Sequence, residues 1–396
     1  MVSSDDDDYV SSLTITSQDD SIIYIKLNYT ELGTTTDYLA ISGIGCQDIV
    51  IPIDIYIGDG TSANPYPVAC PAQLNDVRNG LSSYYLQLCN IALDPNTHFP
   101  SIGNYDNEFT GTYDGDNYKI TNFFENTYNT HTDGTGLFGC VSGSGILKNI
   151  WLYGNIDIPS SISINRIGLL CAFNWNKTIN CHVFGFIKCK GYGIGGLSGD
   201  LINVSNCSAE VDIEGLSGSS YIGGLVGIIG TTNTFTNNYS KCNIKGYGTY
   251  VGGLIGYTNQ NFAITNSYSQ SVINMTSATA VGGFVGLDIC TQASGNKYYS
   301  NCYANTTILG AGTTKKGFCG SRVDGCTSTQ TNCLWNKYIS DIEEDTLLPT
   351  DNGLKDNKMR DNNYLKNDFN YSTDYWFFKP YYYPRLKWEN TYYPKT

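Results

Sequence analysis

The sequence predicts an all-β fold: a parallel β-helix with a small N-terminal β module and a cap at each end. Three observations lead there. A glycine-rich phrase returns seven times between residues 134 and 320, and its anchoring glycines (Gly136, Gly168, Gly196, Gly224, Gly253, Gly283 and Gly317) are 32, 28, 28, 29, 30 and 34 residues apart. A period in this range marks a stack of similar structural units. Between the phrases lie short β-branched or aromatic runs bounded by turn residues, without a sustained helical period. Each unit is therefore strand and turn, with no helical half. Composition agrees: charged residues are only 15% of the chain, against 43 Gly and 32 Tyr, which is poor in helix formers and rich in strand and turn formers.

Residues 1–9 include four consecutive aspartates and show neither the basic stretch nor the apolar core of a secretory signal. A run of like charges reads as a solvated start. Residues 1–62 are expected to form the N-terminal module, an attachment or assembly piece. Segments 10–16, 22–27, 38–41 and 49–57 alternate or run apolar at strand length. In the last of these Ile51, Ile53, Ile55 and Ile57 share one face and need a partner sheet, because a bare edge of this kind templates aggregation. Residues 63–108 read as the N-terminal cap, with a short helix near 73–80 and a strand near 84–88. A β-helix needs such a cover, since its first coil would otherwise expose core and unpaired edge groups.

Residues 109–345 are the repeats. The clearest copies are Ile194-Gly-Gly-Leu-Ser-Gly199, Ile222-Gly-Gly-Leu-Val-Gly227 and Val251-Gly-Gly-Leu-Ile-Gly256. Their glycines suit places where the backbone turns between sheets or lies against the next coil, leaving no room for a Cβ. Leu197, Leu225 and Leu254 then point inward, each stacked on its counterpart about 4.8 Å away. A second phrase follows, as in Ile179-Asn-Cys-His182, Val204-Ser-Asn-Cys207 and Tyr299-Ser-Asn-Cys302. Its Asn and Cys are expected to occupy an interior turn ladder. Residues 346–396 form the C-terminal cap. There, 353–359 suits a second short helix, and the aromatic stretch 376–384 with Trp388 is expected to close the bottom of the rod.

The two phrases together resemble the GLUG-motif repeats of adhesin-like β-helix proteins. The flanks share the likeness: Phe109-Thr-Gly-Thr-Tyr-Asp-Gly-Asp-Asn-Tyr-Lys-Ile-Thr-Asn122 is similar to the coil that precedes such repeats, and Tyr383-Pro-Arg-Leu-Lys-Trp388 to the short ending that follows them. The resemblance implies right-handed winding, so that the expected fold is a right-handed parallel β-helix. It implies surface contact without assigning an activity, and such repeats occur in surface proteins of many kinds, those of large DNA viruses included.

The chain has 14 Cys and 3 His, with no Cys-x-x-Cys pair, so zinc-site spacing is absent. The thiols of the Asn-Cys phrases are expected to pack as small interior hydrophobes. Disulfides compete with that reading among Cys302, Cys319, Cys326 and Cys333, where the repeat grows irregular. Asn-x-Ser/Thr occurs at Asn28, Asn176, Asn203, Asn206, Asn238, Asn274, Asn305 and Asn370, each a glycosylation acceptor by pattern alone.

A net charge of −13 without a basic stripe argues against nucleic-acid partners and against docking on an anionic membrane. No apolar run reaches membrane-span length. The nucleophile elbow, phosphate loop and His-Glu-x-x-His signatures are missing, and the Gly-Gly-Leu phrases lack the strand-then-helix setting of a dinucleotide site. No cofactor or metal is expected. Glu210, Asp212 and Glu214 alternate along one strand face, where paired acids could hydrolyse glycosides or hold calcium. Alternation with Val211 and Ile213 is equally the pattern of a solvated outer face, which is the preferred reading. Asp114 and Asp116 read as turn residues, and His182 as structural. The expected function is a non-enzymatic structural or adhesive protein of a virion or cell surface. Its Tyr- and Asn-rich sides would meet other structural proteins, a second copy or cell-surface glycans. The alternative is a carbohydrate-active lyase or hydrolase on the same rod.

Overall fold

The computed structural model describes residues 2–4, 10–18, 23–29, 34–41, 49–56, 58–126, 134–259, 262–289, 296–310, 314–323, 327–342, 344–345, 347–348, 352–391 and 393–395. The chain divides into two compact units, Met1–Pro67 with Ser83–Leu86, and Val68–Ser82 with Gln87–Thr396.

The first unit is antiparallel. Val10–Gln18 pairs with Ile23–Tyr29, and Thr34–Ile41 pairs with both Ile49–Tyr56 and Val2–Ser4. The isoleucine-rich strand therefore has its partner: Ile51, Ile53 and Ile55 stand opposite Leu39, Asp37 and Thr35. Ile57 lies outside the described residues.

The second unit is a parallel β-solenoid of about seven turns. One turn shows the plan. Ser198–Ser205 lies in a first wall, Ser208–Gly215 in a second and Tyr221–Gly223 in a third; the Gly-Gly-Leu corner then leads to Val226–Thr236, parallel to Ser198–Ser205. The second and third walls repeat in the same sense, Ser208–Gly215 on His182–Gly195 and Tyr221–Gly223 on Asn243–Gly252.

Two corners hold each turn, and the sequence phrases sit at them. Between the first and second walls, Asn149, Asn180, Asn206, Asn237, Asn266, Asn301 and Asn332 all have φ between +47° and +59°. Left-handed backbone of this kind strains most side chains, and Asn tolerates it through local hydrogen bonding. The amides also bond along the stack: Asn180 Nδ2 donates to Asn149 Oδ1 at 2.9 Å, Asn237 to Asn206 at 3.2 Å and Asn332 to Asn301 at 3.0 Å. Asparagine is thus selected both by the turn and by the ladder.

At the glycine corner, Leu197 N donates to Leu225 O at 2.9 Å, and Leu225 N to Leu254 O at 2.9 Å. A Cβ on Gly196 would lie 2.4 Å from Gly224 O, and one on Gly224 would lie 2.1 Å from Gly253 O. Coils approach too closely there for any side chain. Leu197, Leu225, Leu254, Phe284 and Phe318 are fully buried behind the corner, each such side chain contributing about 1.5–3 kcal/mol by burial. Phe284 and Phe318 stack with centroids 4.5 Å apart.

Among the described residues the disulfides that competed with thiol packing at the C-terminal cysteines are not formed. Cys302, Cys319 and Cys333 are buried free thiols, and Cys326 lies outside the described residues. The reason is directional. Cys302 and Cys333 stack in parallel register, and each sulfur turns to a carbonyl of its own coil, Ser300 O at 3.3 Å and Thr331 O at 3.5 Å. Cys319 sits on a first-wall strand and donates to Ser321 O. A bridge needs its two sulfurs turned to one another, and each of these is turned to a backbone carbonyl.

In the N-terminal segment, the helix Pro71–Asp76 and the 3-10 turn Val77–Asn79 bury Leu74 and Val77. Gly353–Leu354 continues the second wall beside Leu334–Asn336. The helix Asp356–Met359 follows, then Asn362–Asn367, which the pattern did not mark and which Asp361 caps by accepting from Asn363 N and Tyr364 N.

The aromatic tail differs from expectation: it lies along the side of the rod, where the sequence had placed it across the bottom. Trp151, His182, Ser208, Tyr239, Tyr268, Tyr303 and Leu334 occupy one register column of the second wall. An apolar column of this kind needs cover. Trp388 stacks on Tyr239 at 5.4 Å and donates to Asn237 O at 2.9 Å, while Trp376 packs on Tyr303 at 5.6 Å. Tyr303 donates its hydroxyl to Pro384 O at 2.6 Å, and Lys395 N reaches Asn117 O at 2.7 Å.

Candidate interaction surface

The acids singled out by the pattern do not converge. Glu210 accepts from Tyr239 Oη at 3.0 Å and faces Lys241 at 3.8 Å. Asp212 accepts from Asn243 Nδ2 at 2.7 Å, and Glu214 pairs with Lys245 at 3.2 Å. Each is engaged by the following coil on the outside of the second wall. Among the described residues no group of three or more His, Cys, Asp or Glu side chains is placed to hold a metal ion. Asp114 accepts from Asp116 N at 3.0 Å and from Asn149 Nδ2 at 2.9 Å, and pairs with Lys148 at 2.8 Å, while Asp116 has φ of +44°. Both serve the turn.

His182 is buried between rings, 4.4 Å from Trp151 and 4.8 Å from Trp388. Its Nε2 donates to Asn180 Oδ1 at 3.1 Å and its Nδ1 accepts from Ser208 Oγ at 2.9 Å. Burial pushes its pKa down to about 3, so the ring is neutral packing. Of the glycosylation patterns, Asn238 and Asn305 are buried. The amide of Asn238 holds Val204 O and Cys207 N, and Asn305 Oδ1 accepts from Asn336. Neither can carry a glycan in the folded chain. Asn206 is half-buried in the corner ladder, Asn176 and Asn203 are half-buried, and Asn274 and Asn370 are exposed. The side chain of Asn28 lies outside the described ones.

A feature the sequence reading missed runs beside the glycine corner. The third wall aligns Arg166, Gly193, Tyr221 and Tyr250 in register, and the first wall aligns Phe173, Asp200, Ile228 and Tyr257. Between them the rings form a continuous ridge. Tyr192 meets Tyr221 edge-on at 4.9 Å, and Tyr221 stacks on Tyr250 at 5.8 Å and tilts against Tyr257 at 4.7 Å. The Arg166 guanidinium lies 5.1 Å from the Tyr192 centroid and 5.6 Å from that of Phe173. Beyond Phe173, Trp175 and Tyr105 extend the ridge at 5.6 and 5.7 Å. Gly193 makes room for this: a Cβ there would fall 2.9 Å from Arg166 Cδ. Tyr105 is 50% and Tyr192 47% exposed.

The ridge is electrically quiet. Arg166 pairs with Asp200 at 3.2 Å; burial raises the Asp200 pKa and Arg166 opposes the rise. Burial, followed by the Tyr192 hydroxyl, raises that of Tyr221. The Tyr221 phenol therefore remains a protonated donor across the physiological range. The available signal in the sequence was positional: Tyr221 and Tyr250 each precede an anchoring glycine by three residues.

No protein-family model matches the chain. Over 136 residues, 32% of this chain, it is 35% identical to a candidate Gly-rich membrane protein of Evansella cellulosilytica; the match spans 15% of that relative. Among solved structures, the crystal structure of a candidate immunoglobulin A1 protease from Bacteroides ovatus superposes with a TM-score of 0.55 at 19% identity, covering 84% of this chain and 94% of that one. A further solved chain, named as an IgA1 protease, has a TM-score of 0.45 at 18% identity over 77% of this chain and 25% of its own. Among the described residues no helix is long and apolar enough to cross a membrane. At such identity the Bacteroides likeness shows a shared solenoid fold.

Proposed function

We propose that this chain is a non-enzymatic surface protein whose β-helix is a stiff spacer displaying the Tyr105–Tyr250 ridge to a glycan or protein partner. The ridge carries the reading: half-exposed rings fixed by the coil beneath them, several bearing hydroxyls, offer contact area at low entropic cost. Glycoside hydrolysis would need two carboxylates facing one another across a bound sugar, whereas Glu210, Asp212 and Glu214 are each engaged along the wall. The setting we propose is a virion surface, as a surface or minor capsid component of a large DNA virus. The Evansella protein's name, which places it in a membrane, is consistent with display on a surface of some kind.

Purified protein is tested on a panel of immobilised polysaccharides and surface proteins, beside a Tyr192→Ser, Tyr221→Ser double variant. Retention that the double variant loses while keeping its circular dichroism is the expected result. Turnover of any polysaccharide, or of immunoglobulin A1, with no ridge-dependent retention overturns the reading. Immunogold label on purified virions supports the setting, and label confined to bacterial envelopes removes it.

A further inference from the structure

A second surface, chemically unlike the ridge, lies on the C-terminal tail. Residues 352–396 carry eight basic against five acidic side chains, whereas the rest of the chain carries fifteen against thirty-one. The tail is thus locally positive in a strongly acidic protein. Within it Trp376–Phe377 pairs antiparallel with Arg385–Leu386, bringing Phe377 opposite Arg385. This pairing forms one side of a cleft of about 540 Å³, lined by Phe377, Lys379, Tyr382, Tyr383, Arg385 and Asn390 among others, a size ordinary for small-ligand sites.

The cations in and beside this cleft differ from several others in the chain. Lys148, Lys241, Lys245 and Lys395 each face a carboxylate. Lys379 and Lys366 instead stand over rings, 4.5 Å from the Tyr382 centroid and 4.7 Å from that of Phe378. Neither these two nor Arg385 has a carboxylate partner among the described residues. The rings are open as well: Phe377 is 42% and Tyr382 51% exposed. Folding alone gains little from exposed rings beside unpaired cations, since burial would favour the rings and pairing the charges.

We propose that this cleft binds an acidic saccharide, a pyranose chain whose rings bear carboxylates. An apolar C–H face of the sugar lies on Phe377 or Tyr382, its carboxylate meets the Arg385 fork with Lys379 adding charge, and Asn390 offers hydrogen bonds to hydroxyls; the Tyr383 hydroxyl is held by Asp356, Asn336 and Arg360. Arginine's planar donors match a carboxylate in two-point fashion. An acidic peptide fits less well, because peptide anchors seek deep desolvated pockets and these rings lie open to solvent. The acidic rod does not forbid it, as charges beyond about 10 Å are largely screened at 0.1 M salt. The proposal rests on the adhesive reading and adds a ligand class at a site apart from the ridge.

The test titrates the full chain with oligogalacturonate, a neutral cello-oligosaccharide of equal length, polyglutamate and dextran sulfate. Oligogalacturonate is expected to bind most tightly and to weaken as salt is raised. Arg385→Gln should weaken it about tenfold or more, the usual contribution of a hydrogen bond to a charged group, with a smaller loss for Lys379→Gln. The Tyr192→Ser, Tyr221→Ser variant should bind it unchanged, which separates failure here from failure of the ridge. Absent oligogalacturonate binding, equal binding of the neutral chain, indifference to Arg385→Gln, or equal or tighter binding of polyglutamate or dextran sulfate each overturns the proposal.

Discussion

Acid should loosen the tail-covered side column through one residue. His182 sits between Trp151 and Trp388, and in the neutral form its two ring nitrogens are satisfied by Asn180 and Ser208. Burial holds its pKa at about 3, whereas an unfolded histidine titrates near 6.5. The sign follows from proton counting. Below about pH 6.5 the unfolded chain takes a proton that the folded chain refuses, so stability is complete above that value and drains away as pH falls toward 3. At about pH 4.5, two units into the window, the linked loss is about 2.7 kcal/mol at 1.36 kcal/mol per unit. That is a sizeable part of the roughly 5–15 kcal/mol by which domains are stable. Urea unfolding followed by tryptophan fluorescence at about pH 7.5 and 4.5, in wild type and in His182→Gln, isolates this residue from the many carboxylates. The glutamine keeps polar partners for Ser208 and Asn180 but cannot titrate. Wild type should lose about 2–3 kcal/mol more than the variant between the two pH values. Equal losses would refute the assignment of a neutral, buried His182.

Three further outcomes follow from the same geometry. Gly224→Ala places a methyl 2.1 Å from Gly253 O, while Gly230→Ala meets nothing within 4 Å. Chemical unfolding should show a loss of about 1–3 kcal/mol or more for the first and a change near zero or slightly favourable for the second; equal effects would contradict the close coil approach. Trp388→Ala should cost about 3–5 kcal/mol of tail packing, seen as lost hydrogen-exchange protection over 376–391 while the far-ultraviolet dichroism of the rod persists. Unchanged protection there would mean that the tail is not held by this ring. Native alkylation with iodoacetamide should label the half-buried Cys70 and Cys89 before the buried Cys181, Cys207, Cys302 and Cys333, whose access is blocked and, for Cys181 and Cys302, whose pKa is raised by burial. Peptide mapping that finds Cys302 among the first modified would overturn the burial of the ladder thiols.

What could be read from the sequence divides along the inside and outside of the coil. Inward positions obey sterics that repeat every turn, so Gly224, Leu225 and Asn237 are legible as a period before any coordinates exist. The tail is not, because Trp388 finds Asn237 across 151 residues and nothing periodic links them. The ridge was hidden for a related reason: Tyr192, Tyr221 and Tyr250 are three of 32 tyrosines, and only the register shows that they lie side by side. Register also separates two kinds of outer column. Where Tyr239, Tyr268 and Tyr303 would have left a broad apolar strip, the chain covers it with its own last residues, and those rings are structural. Where Tyr105 and Tyr192 remain exposed on the ridge, no such cover lies over them among the described residues. Leaving some columns open on a rod that seals another with its own tail is what a surface kept for contact requires, and it is on those columns that function should be sought.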